Sequence, residues 1–315
     1  MTVLNGLKRR LLSTGSDSFV LLLAFRMQAA AHGVLMQLSG DTISLLRGRR
    51  KMILGMRDAI SVPFAVHEWD QFFETLEGEQ RGGRVVLDFS GPGLHRYRRH
   101  KLSFYAPSLA EDDSMEAYTA SYRPRAGDVV WDAGAHAGMT AYFLAQMVGP
   151  TGKVYAFEPD ETNYGFLLRN IEMHALANVT PVKAALSGKT GRASFCMDGT
   201  MSAGLSDSLC YSAGGHGREV ETICPQDACE RFGSVPDFIK MDIEGAELSV
   251  VASAVGLLKQ HPIHLSIESN HMVGGRFTSG SLEELLGGAG YRAWSSDRYG
   301  QLFTWAAPAG ARADS

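Results

Sequence analysis

An open, doubly wound α/β sheet is the fold class this sequence predicts, and the stretch Asp128–Asp160 carries the prediction. Two short apolar runs, Val129–Trp131 and Val154–Phe157, each lead into an acidic residue, Asp132 and Glu158. Between them lie a turn of small residues, Ala133–Gly138, and an apolar helical period. That period sets Thr140, Phe143, Leu144, Met147 and Val148 on one face and stops at Gly149–Pro150. Strand, glycine turn, helix and strand in this order make one parallel βαβ unit.

The strand ends carry the chemistry, because open α/β sheets bind ligands beyond the carboxyl ends of their strands. Gly134 and Gly138 lack a Cβ and so read as places where a ligand approaches the backbone. The helix that follows exposes unpaired N–H groups at its start. Glu158 is placed to accept hydrogen bonds from the two hydroxyls of a ribose. The unit therefore reads as a nucleoside-cofactor site, with a plain packing turn and a chance glutamate as the structural alternative. A dinucleotide fingerprint would need glycine at positions 136 and 139, where the chain has His136 and Met139. The pattern D-x-G-x-x-x-G followed by an acidic strand end instead resembles the first two motifs of S-adenosylmethionine-dependent methyltransferases.

Composition is that of a soluble globular protein: 315 residues, 45% hydrophobic and 20% charged. The net charge of −4 argues against nucleic acid as the main partner. The cysteines, Cys196, Cys210, Cys224 and Cys229, form no CxxC pair, so neither a metal knuckle nor a disulfide framework is expected. Free thiols in a reducing cytoplasm follow.

Residues 1–100 read as an N-terminal extension, helical at first and then a β lead-in, ahead of a catalytic domain at 101–315. Residues 1–60 hold nine Lys or Arg against three acids. Phe19–Leu38 is apolar but carries Arg26, Gln28 and His32, which a bilayer centre tolerates poorly. The region is expected to be helical and either packed on the main domain or placed against a membrane surface or partner. Arg84–Phe89 and Lys101–Tyr105 read as strands around the Gly91–Pro92–Gly93 turn. The basic tract Arg96, Arg98, Arg99, His100 and Lys101 either meets a phosphate of the substrate or forms a solvated hairpin face. A short helix is expected between the acidic run at Glu111 and Asp128.

After Glu158, Pro159 and Asp160 start a helix with Tyr164, Leu167, Leu168 and Ile171 on one face. Asn178–Leu186 reads as a third strand, and Pro181 puts it at a sheet edge. Small residues at its end, Ala185 and Ser187 among them, suit a flat adenine ring or simple close packing. Arg192–Met197 and Glu219–Ile223 read as a hairpin around the glycine-rich segment 199–217, a candidate substrate loop. Phe238–Met241 is a buried strand ending in Asp242, and Ile263–Ile267 is another ending in Glu268. Ser281-x-x-Glu284 reads as a capping box opening a helix. Tyr291–Trp294 and Gln301–Trp305 close the chain as an antiparallel hairpin.

In order, VVWDAGAHAG, VYAFEPD, AALS, VETI, IKMDIEGAE and LSIE resemble the FkbM-type methyltransferase family. The likeness covers about Asp128 to Asn270. His136 stands where that family usually has asparagine. The resemblance implies a Rossmann-like class I methyltransferase sheet and S-adenosyl-L-methionine as cofactor. It also implies O-methylation of a hydroxyl on a small molecule, sugar, glycan or secondary metabolite. Carried over by motif, Asp132, Gly134 and Gly138 line the methionine and ribose, Glu158 holds the ribose hydroxyls and Asp160 lies near the adenine. Ala135, His136, Pro159, Ala185 and Ser187 complete the expected cofactor-binding set.

A hydroxyl acceptor is a weak nucleophile, so a base is expected near the methyl group. Asp242, Glu268 and His271 are the catalytic candidates, since Asp242 and Glu268 end neighbouring strands. Glu244 and Glu247 are explained equally well as a charged first helix turn. Asp242, Glu244 and Glu268 have the chemistry of metal ligands, but no metal is assigned. The alternatives are an NAD-dependent oxidoreductase and a non-catalytic binding protein of methyltransferase-like fold.

Overall fold

The computed structural model describes residues 17–111, 115–197, 203–205, 218–273 and 275–310. The described residues form two compact units, one built on residues 17–111 and one on residues 115–195 and 218–310.

In the first unit, helix α1 (Asp17–Ala31) is followed by β1 (Leu35–Ser39), β2 (Thr42–Arg47) and β3 (Arg50–Gly55). The helical reading of residues 1–60 therefore fails beyond Ala31, for a local reason. Ser39 pairs with Thr42 and Arg47 with Arg50, so Gly40–Asp41 and Gly48–Arg49 are two-residue hairpin loops. Gly40 and Gly48 take φ of +54° and +59°, as such loops demand. A 3₁₀ turn (Met56–Ser61), α2 (Val62–His67) and α3 (Trp69–Thr75) then interrupt the expected β lead-in. β4 (Glu79–Arg81) and β5 (Arg84–Phe89) complete a five-stranded sheet of order β1-β2-β3-β5-β4. The strands between Leu35 and Gly55 are thus part of one sheet with β5, since β3 pairs with it in parallel. Ile43, Leu45, Met52, Leu54, Trp69 and Phe89 form buried core. β6 (Gly93–Tyr97) and β7 (Leu102–Ala106) are a separate hairpin whose exposed turn holds Arg98, Arg99, His100 and Lys101. This hairpin lies wholly in the first unit, which runs to Glu111.

In the second unit, β8 (Val129–Ala133), α4 (Met139–Val148), β9 (Lys153–Phe157), α5 (Glu161–Met173) and β10 (Val179–Val182) follow in turn. β11 (Ala185–Leu186), β12 (Gly191–Met197), β13 (Ala203–Leu205) and β14 (Arg218–Ile223) form a small sheet of order β11-β14-β12-β13. The expected third strand is thus split between two sheets after Val182. Most of the glycine-rich segment lies outside the described residues. Next come α6 (Pro225–Phe232), β15 (Phe238–Met241), α7 (Glu247–Gln260), β16 (His264–Glu268) and a minimal ribbon of β17 (Met272–Val273) and β18 (Arg276–Phe277). α8 (Ser279–Gly288), β19 (Tyr291–Ser296) and β20 (Phe303–Pro308) end the chain.

The main sheet runs β10-β9-β8-β15-β16-β20-β19. β10 to β16 are parallel, and β20 and β19 return antiparallel. Pro181 sits on the edge strand β10, where its missing N–H costs no ladder bond. Apolar cores cover both faces, with Trp131, Ile239, Val251 and Leu265 in one and Val130, Leu144, Leu167 and Phe238 in the other. The strand order reverses between β8 and β15, so the crevice of the switch point opens above Ala133 and Met241.

Two local expectations do not hold. Met115–Thr119 makes one turn, closed by Thr119 N–H to the Met115 carbonyl, and no helix follows in residues 115–127. The Ser281–Glu284 pair does not open α8. The helix starts at Ser279 behind Thr278, whose hydroxyl donates to the Ser269 carbonyl instead. No helix among the described residues is long and apolar enough to cross a membrane.

Candidate active site

The turn after β8 is locked from both sides. The Gly134 and Ala135 N–H groups both donate to the Phe157 carbonyl, at 3.1 and 2.9 Å. Lys240 Nζ donates to the Gly134 carbonyl at 2.8 Å. Gly134 has φ +78°, and a Cβ there would lie 1.9 Å from the Asp242 carbonyl oxygen. Gly138 has φ +94°, and its Cβ would meet Leu167 Cδ1 at 2.6 Å. Both glycines are therefore favoured by the chain's own backbone conformation and packing. His136 adopts φ +48°, a left-handed conformation that asparagine and histidine tolerate better than most side chains.

Asp132 does not line an open surface. It is fully buried, accepts the Thr140 hydroxyl at 2.5 Å, and pairs with Lys240 Nζ at 3.1 Å. Asp132 and Lys240 are register partners on β8 and β15, so the sheet itself brings them together. Lys240 also lies 5.3 Å from the centre of the Tyr118 ring.

Glu158 is the acceptor the sequence predicts at the tip of β9. Its Oε2 takes the His136 N–H at 2.9 Å and its Oε1 the Asp160 N–H at 2.8 Å. Burial pushes its carboxyl up to about 7, against the pull of His136 and these N–H groups. A carboxylate offers about four lone-pair sites, so two remain after these bonds. Asp160, expected towards the adenine, has its carboxylate turned back as the cap of α5, accepting from Thr162 and Asn163 N–H. Pro159 joins the two acids and is half-buried. Ala185 pairs with Thr222, and Ser187 N–H donates to the Ile223 carbonyl, so both serve the small sheet.

The catalytic candidates do converge. Single ligand-type atoms of Asp242, Glu268 and His271 lie within 4.8 Å of one another. His271 Nδ1 stands 2.8 Å from Glu247 Oε1, and its Nε2 stands 3.3 Å from Glu244 Oε2 and 3.8 Å from Asp242 Oδ1. Burial alone would lower the His271 pKa, but the charges of Glu247 and Glu244 outweigh it and hold the value well above the ordinary one. Both ring nitrogens of His271 face carboxylates, an arrangement that favours the protonated imidazole. Glu247 is no solvated dipole partner either. It is fully buried, and the Ile243 and Gly245 N–H groups donate to its Oε1. Burial would raise its carboxyl, but His271 and these bonds hold it below the ordinary range.

Glu268 Oε2 accepts the Tyr118 hydroxyl at 3.2 Å and Oε1 the Asn270 amide at 2.8 Å. Burial, and next the charge of Asp242, push the Glu268 carboxyl up to about 8. Glu244 is raised too, first by burial. It sits at φ +55°, ahead of Gly245 at φ +103°, so backbone strain is concentrated where its carboxylate meets His271. Sequence reasoning missed Tyr118 and Asn270, and it undervalued Lys240 and Glu247. The spacing of K-x-D-x-E-G-x-E was the available signal for the last two.

The family profile described as "Methyltransferase FkbM domain" matches residues 132–293, just over half of the 315 residues. No curated protein matches the chain. Among solved structures, methyltransferase FkbM from Methylobacillus flagellatus KT is similar at 17% identity and a TM-score of 0.42, over 93% of this chain and 60% of that one. A SAM dependent methyltransferase from Aquifex aeolicus is similar at 19% identity and a TM-score of 0.36, over 58% of this chain and 82% of that one. TYW2 of M. jannaschii, in complex with AdoMet, is similar at 15% identity and a TM-score of 0.40, over 71% of this chain and 88% of that one.

Proposed function

This chain belongs to the FkbM family of S-adenosylmethionine-dependent methyltransferases, and from that premise we propose that it methylates a hydroxyl oxygen of a small-molecule or glycan acceptor. Membership removes the dinucleotide oxidoreductase and non-catalytic readings. The residues present fit the cofactor at the point where they can be tested. The buried Glu158 keeps two lone-pair sites after accepting from His136 and Asp160, which matches the two hydroxyls of a ribose. When bound, the cofactor supplies a methyl group already activated on a sulfonium sulfur.

The observation that carries the oxygen reading is the set of carboxylates at the ends of β15 and β16. A hydroxyl must lose its proton as it attacks, and a positioned carboxylate contributes about 10²–10⁴-fold in rate by taking it. Asp242 and Glu244 keep part of their side chains exposed, 31% and 25%, so an acceptor can reach them. Glu268 and Glu247 are buried beside them and shape the site. His271, between Glu244 and Glu247, offsets part of the negative charge.

The test is a transfer assay with isotope-labelled cofactor against hydroxyl, amine and thiol acceptors, with the methylated atom identified by mass spectrometry and NMR. Products carrying the label on oxygen are expected. Labelled amines or thiols with no labelled alcohol would overturn the reading.

A further inference from the structure

We propose that the cluster above β15 and β16 is a divalent-cation site, with Asp242, Glu268 and His271 Nε2 as protein ligands and Glu247 as the carboxylate that orients the imidazole. The use of the cation in methyl transfer rests on the reading above; its binding does not.

The geometry has the right scale. Oxygen and nitrogen ligands about 2.1 Å from an octahedral ion lie about 3.0 Å apart when adjacent and about 4.2 Å apart when opposite. Asp242, Glu268 and His271 offer one atom each within a mutual 4.8 Å, so small side-chain adjustments bring all three onto one ion. A ligating histidine generally turns its second ring nitrogen to a carboxylate, and here Nδ1 stands 2.8 Å from Glu247 Oε1 as an ion-pair contact. That leaves Nε2 towards Asp242 and Glu244. A bound cation takes the place of the proton on Nε2.

Acidic side chains outnumber basic ones at this point. Asp242, Glu244, Glu247 and Glu268 gather about His271, while Lys240 is engaged by Asp132 and the Gly134 carbonyl. An independent sign is Glu247 itself, fully buried beside the cluster, whose second oxygen Oε2 has no hydrogen-bond partner. A buried carboxylate with an unsatisfied oxygen is costly unless positive charge stands close. Two carboxylates and one imidazole favour a first-row cation such as Mn²⁺ over Ca²⁺. Three protein ligands leave coordination positions for an acceptor hydroxyl. The ion polarises that hydroxyl; its O–H bond breaks, the proton passes to the Glu244 carboxylate, and the electron pair stays on oxygen.

The experiment is a titration of the chelator-treated full-length protein with Mn²⁺ alone, followed by the electron-paramagnetic signal of the free ion. Calorimetric S-adenosylmethionine affinity on the same samples reports on folding. One saturable Mn²⁺ per chain is expected. Asp242→Asn should weaken it at least ten-fold, and Glu247→Gln about 10–100-fold as an orienting residue, with cofactor affinity kept within about two-fold. If Glu247→Gln does not fold, the partly exposed Asp242 carries the test. No saturable site in the wild-type protein, or full binding in Asp242→Asn, overturns the proposal. Binding of Mn²⁺ without any labelled alcohol in the transfer assay would sink the oxygen reading and leave the cation site standing.

Discussion

Gly134 and Asp242 meet backbone to backbone: a Cβ on Gly134 would sit 1.9 Å from the Asp242 carbonyl oxygen. The contact lies at the switch point, where β8 and β15 are neighbours and their loops turn to opposite sides. It ties the turn after β8 to the residue that begins the acid cluster. Whatever displaces one loop displaces the other.

Gly134→Ala should therefore destabilise the whole domain. A left-handed φ of +78° strains any side chain by about 1–3 kcal/mol, and overlap with a backbone oxygen adds about 1–3 kcal/mol. Denaturant unfolding should show the loss together with weaker cofactor binding. A variant as stable as the parent would mean that the two loops can separate freely.

Lys240→Met should cost about 3–5 kcal/mol, because it leaves Asp132 as a buried charge without its partner. Replacing both, as Asp132→Asn with Lys240→Met, should recover part of that loss. Thermal unfolding of the single and double variants measures the coupling. Equal losses in the two would show that Lys240 acts only by holding the Gly134 carbonyl.

Much of this was legible in the sequence, and the reason differs from element to element. The strands β8, β9, β15 and β16 announce themselves because each is a short apolar run ending in an acid ahead of a helix. Glu158, Asp242 and Glu268 could be named because the sheet puts strand ends on one rim. The Asp132–Lys240 pair was hidden, since only the register of β8 against β15 brings it together. Glu247 was misread for a similar reason. In isolation it is an acid in a first helix turn, and its burial depends on His271 from beyond the next strand. The hairpins at Gly40 and Gly48 were missed where an apolar helical stretch masked the turn chemistry.

Glu158 should make cofactor affinity depend on pH. Its carboxyl is raised by burial from 4.5 to about 7 in the folded protein. In the protein without cofactor, the stability linked to the neutral acid is full below 4.5 and is lost as pH rises through about 7. Ribose hydroxyls donate to the ionised form, so binding takes the opposite sign and should tighten over that window, then level off. Glu158→Ala should lose about 1.5–3 kcal/mol of binding at pH 8, and Glu158→Gln should flatten the profile. Asp160→Ala, which removes a helix cap, should cost about 0.5–2 kcal/mol of stability with little change in affinity. Calorimetry at several pH values decides; a flat wild-type profile would remove Glu158 from the ribose.

Asp242 should matter for turnover far more than for cofactor affinity. It stands at the end of β15 beside the Gly134 turn, with its side chain 31% exposed and 3.8 Å from His271 Nε2. Asp242→Asn keeps the size and removes both the charge and the basicity. Whether the carboxylate takes the proton itself or holds a cation that polarises the hydroxyl, the variant should lose about 10²–10⁴-fold in kcat. Glu158, the proposed ribose acceptor, is untouched by the change, so the dissociation constant should move little. The competing explanation is that Asp242 merely braces the start of the loop to α7, through the contact its carbonyl makes with Gly134. That contact belongs to the backbone and survives the substitution. A purely bracing side chain would lower Tm while leaving the single-turnover rate near the parent's. Tm, cofactor affinity and single-turnover rate measured on one preparation separate the two outcomes. A fast but less stable enzyme would move the proton-accepting role to Glu244, the other partly exposed carboxylate at His271.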